Sequence, residues 1–264
     1  MLQSEKQKRI FITLRIAAAM CFIGHGAFGI ITKPIWCNYF AVFGIGHDMA
    51  YHLMPIVGSI DIICGLMILF YPVKVFPFWL VVWGLITASL RPLSGEPFAE
   101  LIERAGNFGA PLVLLMLCDT GFSPKGLFKK ITPAATTDAA AWKRIMLVLQ
   151  IVVCLLLVGH GWLNLLNKKG LLAQYEGLGF HNPANVAMMV GTFELVAAAI
   201  VLIKPLRPLL VLFFVWKIGS ELFYPHYEIF EWVERGGSYG CLLALIFALD
   251  AVPAFQSNDI QLTT

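Results

Sequence analysis

Charge is scarce in this chain. Of 264 residues only 13% are Asp, Glu, Lys or Arg, where an ordinary soluble domain carries about 25%. The net charge of +3 is spread along the sequence and forms no basic stripe, so nucleic acid is excluded as a partner. The six cysteines (Cys21, Cys37, Cys64, Cys118, Cys154, Cys241) include no Cys-x-x-Cys pair, and most sit inside apolar runs. That argues against a disulfide framework and against thiol redox chemistry. No flavin, iron–sulfur or Rossmann unit is visible, so any electron-transfer role would need a partner to supply the electrons.

What is abundant is apolar surface. Hydrophobic residues make up 59% of the chain and its mean hydropathy is +0.78. In water such a chain would expose large patches, so the bilayer is its natural solvent. Met1 to Arg9 is polar and basic, and the long apolar run after it lacks a small-residue cleavage site. It reads as a retained first helix and not a removed signal peptide.

The chain also repeats itself. Gly24-His25-Gly26 returns as Gly159-His160-Gly161, and Lys33 returns as Lys168, at an offset of 135. Val57-Gly58-Ser59-Ile60-Asp61 matches Val190-Gly191-Thr192-Phe193-Glu194, and Trp83 and Pro92 match Trp216 and Pro225, at 133. Glu103-Arg104-Ala105-Gly106-Asn107-Phe108-Gly109 matches Glu234-Arg235-Gly236-Gly237-Ser238-Tyr239-Gly240 at 131. The pattern implies a tandem, parallel duplication of a unit of roughly 120 residues, with small deletions in the second copy.

A bilayer span needs about 20 mainly apolar residues. Candidate spans are 10–31, 50–71, 74–92 and 97–118, then 144–166, 184–203, 206–224 and 228–249. The expected architecture is all-α: a polytopic membrane protein with eight transmembrane helices as two tandem parallel four-helix repeats. Residues 1–118 form the first repeat, 119–142 a cytoplasmic linker loop, and 143–264 the second repeat with a polar tail after Pro253. Twelve of the nineteen Lys and Arg fall on the side of the N-terminus, which favours cytoplasmic termini. All six histidines, and Glu96, Glu100, Glu103, Glu221, Glu228, Glu231 and Glu234, then fall on the outer half, and function is expected there.

Within that half, His25 and His160 sit between glycines, which let a helix or a flat ligand approach the imidazole. Each could be bonded to a carboxylate of a neighbouring helix, contact a ligand such as a quinone, or bind metal or haem. Asp61 and Glu194 lie near midplane, where an ion needs a partner. The depth of Arg104 and Arg235 predicts the interhelical pairs Asp61–Arg104 and Glu194–Arg235, either locking the bundle or lining a polar pocket. Neighbours on a helix diverge by about 100°, so Glu103 and Arg104, like Glu234 and Arg235, should face different ways. Asn107 and Ser238 extend the arginine face. Lys217 and Glu221 are spaced for a local i,i+4 ion pair, and the matching first-copy residues are Gly84 and Ala88. With Arg91 replaced by Tyr224, and His226, Glu228 and Glu231 enriching the second outer loop, the second copy reads as the specialised one. Trp83 and Trp216, mid-helix, either pack or stack on a flat ligand.

The Gly-His-Gly with its following Lys, the Gly-x-x-(Asp/Glu) of the second helix and the four-span unit resemble the DoxX family of small membrane proteins. The resemblance covers 10–118 and 144–249, as two fused units. That family includes subunits of thiosulfate:quinone oxidoreductase, proteins linked to quinone stress, and membrane chaperones or cargo receptors. The resemblance implies a bacterial inner-membrane protein acting as a quinone-linked redox component or oxidoreductase subunit. A non-enzymatic scaffold or chaperone is the alternative, and a proton-coupled small-molecule transporter the third reading. Whether the chain is itself an enzyme stays open. A quinone is the cofactor the pocket would suit; haem or metal is the weaker reading. The expected partners are the lipid bilayer and a protein that supplies electrons or is scaffolded. The expected ligand pocket draws on His25, Asp61, Glu103, Arg104, Asn107, His160, Glu194, Lys217, Glu221, Glu234 and Arg235.

Overall fold

The computed structural model describes residues 2–118, 124–134, 137–222 and 229–249. Among them there is no strand, only two isolated bridges, Val73 with Lys130 and Cys118 with Pro133. The first half contributes α1 (Leu2–Ile30), α2 (Trp36–Ala41), α3 (His47–Phe70), α4 (Val75–Leu93), α5 (Ala99–Glu103) and α6 (Ala105–Met116). The short α7 (Pro124–Leu127) follows. The second half contributes α8 (Ala139–Leu165), α9 (Lys169–Gly177), α10 (Pro183–Ile203), α11 (Arg207–Leu222), α12 (Ile229–Glu234) and α13 (Gly236–Leu249).

Among the described residues, five helices are long and apolar enough to cross a membrane: Glu5–Ile30, His47–Phe70, Val75–Leu93, Ala139–Leu165 and Pro183–Ile203. Their outward faces carry Ile56, Ile60, Ile63, Met188, Met189 and Val196, all exposed, a surface that suits a lipid solvent. The other three expected spans take different forms. The segment over 206–224 yields a helix of 16 residues. Those over 97–118 and 228–249 are not continuous helices: each breaks, at Arg104 (φ −89°, ψ 15°) and at Arg235. Arg104 compensates for its own break by donating Nη1 to the Glu100 carbonyl at 2.9 Å, since a helix end leaves carbonyls without partners.

Helix ends follow local chemistry. Asp138 caps α8 by accepting from the Ala141 amide at 2.6 Å, and Asn182 caps α10 ahead of Pro183, both favoured N-cap residues. Both α1 and α8 close through a residue in the left-handed region, Thr32 and Asn167, each with φ 53°. The next amides reach back, Lys33 to the Phe28 carbonyl and Lys168 to the Leu163 carbonyl, the 6→1 bond of a Schellman end. The short helices α2 and α9 follow these turns, where the sequence pattern pointed only to loops. The expected linker loop is tied down as well. Ile131 is buried and donates its amide to Pro72, while the Lys74 amide donates to Lys129.

The core lies where α1, α6, α8 and α13 meet, filled by Leu14, Phe22, Leu114, Leu149, Leu156 and Leu245. Around it α1 packs on α3, α8 on α10, α4 on α6 and α11 on α13. The broken helices are exchanged. First-half α5 lies against second-half α8, and second-half α12 and α13 lie against first-half α1. Glycine makes these approaches possible. A Cβ on Gly24 would collide with the Glu234 backbone, and one on Gly159 with the Glu103 backbone.

Candidate functional site

The close contact of α1 with α3 decides who pairs with whom. A Cβ on Gly26 would lie 2.5 Å from the Gly58 carbonyl oxygen, so side chains beside that contact meet directly. His25 Nδ1 lies 2.7 Å from Asp61 Oδ2. In the second half Gly161 and Gly191 make the same approach, and His160 Nδ1 lies 2.6 Å from Glu194 Oε2. The expected pairs Asp61–Arg104 and Glu194–Arg235 are therefore incorrect. The arginines sit at the helix breaks instead and serve other acids. Arg104 pairs with Glu100 at 2.7 Å and Glu103 at 3.2 Å. Arg235 pairs with Glu103 and, through Nε, with Glu221 at 3.3 Å. The flanking glycines thus admit neighbouring backbone, not a ligand. Although Gly24-His25-Gly26-Ala27-Phe28-Gly29 has the spacing G-x-G-x-x-G, it lies inside α1 with no strand before it, and is no dinucleotide loop.

The Lys217–Glu221 pair is also not formed as expected. Lys217 is buried and turns to Glu194, its Nζ 4.0 Å from Oε1, because a buried carboxylate oxygen without a hydrogen bond attracts the nearest cation. Glu221 goes to Arg235. Glu103 and Arg104 do diverge: Glu103 faces the second half's cavity and Arg104 the first half's.

Two cavities result. The first, about 70 Å³, is bounded by His25, Trp36, Tyr39, Trp83, Arg91, Arg104, Asn107 and Glu234. The second, about 250 Å³, is bounded by Glu103, His160, Leu171, Gln174, Tyr175, Trp216, Glu221 and Arg235. Each takes its arginines from its own half and receives one glutamate, Glu234 or Glu103, from the other. A small void of about 10 Å³ between them is lined by Glu103, Arg104, Asn107, Glu234, Arg235 and Ser238. The lysines are shared reciprocally too: Lys168 pairs with Glu100 at 2.8 Å, and Lys33 approaches Glu231 at 4.0 Å.

The difference in volume follows from the sequence. At the offset of 135, Trp36, Tyr39, Phe40 and Phe43 of the first cavity correspond to Leu171, Gln174, Tyr175 and Leu178 of the second. Smaller residues leave space. In the first half the Trp36 ring covers His25, centroids 4.7 Å apart. An engineered apolar cavity of about 150 Å³ holds benzene, so the second cavity can take a ring-sized head group, whereas the first has room for about two waters.

Chemically, the second cavity offers a directed imidazole. A carboxylate only accepts, so His160 carries its proton on Nδ1 toward Glu194 and leaves Nε2 for a ligand. Asn164, one turn along α8, donates to the His160 carbonyl at 3.1 Å, and Tyr175 donates to Asn164 Oδ1 at 2.7 Å. Burial pushes the Tyr175 phenol above its ordinary pKa range, so it stays a donor. In the first half Tyr39 donates to Glu96 at 2.6 Å, and Arg91 pairs with Glu96 at 3.2 Å. Trp83 stacks on Trp79 and leaves its indole nitrogen without a hydrogen bond. His47, His52 and His181 are exposed and line neither cavity, and Tyr224, Pro225, His226 and Glu228 lie outside the described residues. Among the described residues no group of three His, Cys, Asp or Glu side chains could hold a metal ion.

Sequence reasoning missed Trp36, Tyr39, Asn164, Gln174 and Tyr175. Only Asn164 left a signal there, its i,i+4 spacing from His160. No known protein family, curated protein or solved structure matches this chain.

Proposed function

We propose that this is a DoxX-like integral membrane protein, eight spans in two parallel repeats with cytoplasmic termini in a bacterial inner membrane. On this reading it holds a quinone-type head group in the second cavity, within a redox complex whose partner supplies the electrons. The observation that carries the proposal is the His160–Glu194 pair, which engages Nδ1 and leaves Nε2 of a side chain that lines a cavity of ring size together with Trp216.

A quinone bound there would supply the electron and proton acceptor that the chain itself lacks. The residues present fit such a group. With Glu194 stabilising the imidazolium, His160 Nε2 would donate the hydrogen bond or proton that a quinone oxygen takes up on reduction, and in the neutral ring Nε2 would accept a hydrogen bond from a quinol hydroxyl. Arg235, held by Glu103 and Glu221, presents a fixed positive charge at the cavity wall.

The test is a UV–visible spectrum of protein purified in mild detergent, oxidised and dithionite-reduced, with organic extraction of the same sample. Stoichiometric quinone, lost in Glu194→Gln, supports the reading. A colourless sample carrying only phospholipid sinks it. A scaffold is the second reading, favoured by the buried ion network of Glu100, Glu103, Arg104 and Arg235, which locks the two halves together. A stoichiometric protein partner recovered from native membranes with no quinone would carry that reading.

A further inference from the structure

The wall of the second cavity formed by α11 is unlike the rest. Val215, Trp216 and Leu178 line the cavity and are also 62%, 40% and 43% exposed on the outer surface. Gly219 lines it too, and a Cβ there would meet nothing within 4 Å. Helix α11 packs on α13 and touches α12, without comparable packing on α8, α9 or α10. Its first-half counterpart α4 packs on α6 and also on α2, α3 and α5. A hydrogen bond from Gln174 Nε2 to the Ser220 carbonyl, 2.7 Å, bridges α9 and α11.

The cavity is amphipathic along its length. Its inner end holds His160 and Glu103, both more than nine-tenths buried, together with Arg235. Its outer end holds Leu178, at the end of α9, with Val215 and Trp216 of α11, a helix whose outward face is apolar.

We infer that the second cavity opens sideways to the bilayer between α9 and α11, and admits a membrane-soluble amphiphile. Its hydrogen-bonding ring goes in to His160 and its alkyl tail stays between Leu178, Val215 and Gly219. This rests on the reading of the cavity as a ligand site and adds the ligand's class and its route. The first half carries bulkier residues at the matching positions: Ile86 stands at the position of Gly219, Phe43 at that of Leu178 and Trp36 at that of Leu171, and the first cavity is correspondingly small.

The experiment takes those bulkier first-half residues as its variants. Gly219→Ile places a side chain in open space and removes a helix-weakening glycine; Leu178→Phe is the second. The purified full chain is titrated with decyl-tailed benzoquinone, decyl-tailed hydroxybenzene and the two rings without tails. Affinity is read from the ligand-induced rise in melting temperature. The wild type should bind the tailed probes at least about tenfold tighter than the bare rings. Both variants should lose that advantage while keeping the ligand-free melting temperature. Tailed quinone bound equally by wild type and both variants overturns the sideways route and leaves the quinone reading standing. Tailed hydroxybenzene bound in the expected pattern, with no quinone bound, sinks the quinone reading and supports the route. A wild type indifferent to the tail, or binding no tailed probe, overturns the route.

Discussion

Glu103 and Arg235 stand 132 positions apart and form a direct ion pair, with Glu103 contributed by the first half and Arg235 by the second. Glu103 also takes Arg104. One buried carboxylate therefore gathers both arginines of the helix breaks, although the matching acid, Glu234, was an equal candidate by sequence.

Breaking that pair should be costly, while removing both partners should be less so. Arg235→Met leaves a buried carboxylate short of a partner and should cost about 3–5 kcal/mol. The double variant Glu103→Leu with Arg235→Met should be less destabilised than the two single losses added together. Thermal unfolding in detergent of the four proteins measures the coupling, and strict additivity would show that the pair contributes nothing.

Glu194→Gln should hurt more than Asp61→Asn. The first variant strands the buried ammonium of Lys217, at a cost of about 3–5 kcal/mol, whereas the first half has Gly84 where Lys217 stands. Adding Lys217→Met to Glu194→Gln should restore most of the loss. Melting temperatures that do not change between single and double variants would disprove the dependence.

Gly159→Ala should destabilise by about 1–3 kcal/mol through overpacking, because the new methyl would strike the backbone of Glu103. Gly177→Ala has open space around it and serves as the comparison, with an effect near zero. Equal effects at both positions would mean that the α8–α5 contact does not set the response, since helix propensity alone favours alanine at each.

Thr32→Gly should stabilise the chain by about 1 kcal/mol. A β-branched residue at φ 53° crowds its own backbone, and glycine relieves that strain. Asn tolerates the same conformation, so Asn167→Gly should gain less. Chemical denaturation of the two variants side by side decides the matter; an equal response would remove strain at Thr32 as the cause.

Much of the site could be read from residue types and spacing. His25, Asp61, His160 and Glu194 stood out because imidazoles between glycines and acids deep in apolar runs need a reason to be there. What spacing could not reveal was partner choice. Depth along a helix put Asp61 level with Arg104, but the α1–α3 contact at Gly26 and Gly58 brought His25 there first. The helix breaks at Arg104 and Arg235 were hidden because helix-compatible sequence continues on both sides of each arginine with no proline at the break. Trp36, Tyr39, Gln174 and Tyr175 were hidden in segments too short for a periodic pattern to mark as α2 and α9. The unequal cavities depend on pairs such as Trp36 and Leu171, which acquire meaning only once both are seen lining walls.

The exchange of broken helices also sets a schedule. A ribosome that has delivered α1 to α4 has made His25, Asp61 and Trp83, yet the wall that Glu234 gives this first cavity is still more than a hundred residues from being made. The second cavity has the opposite history, with Glu103 waiting in the membrane for His160 and Arg235 to arrive. Neither site can mature ahead of the other, so a chain interrupted after its first half holds two unfinished cavities and no finished one.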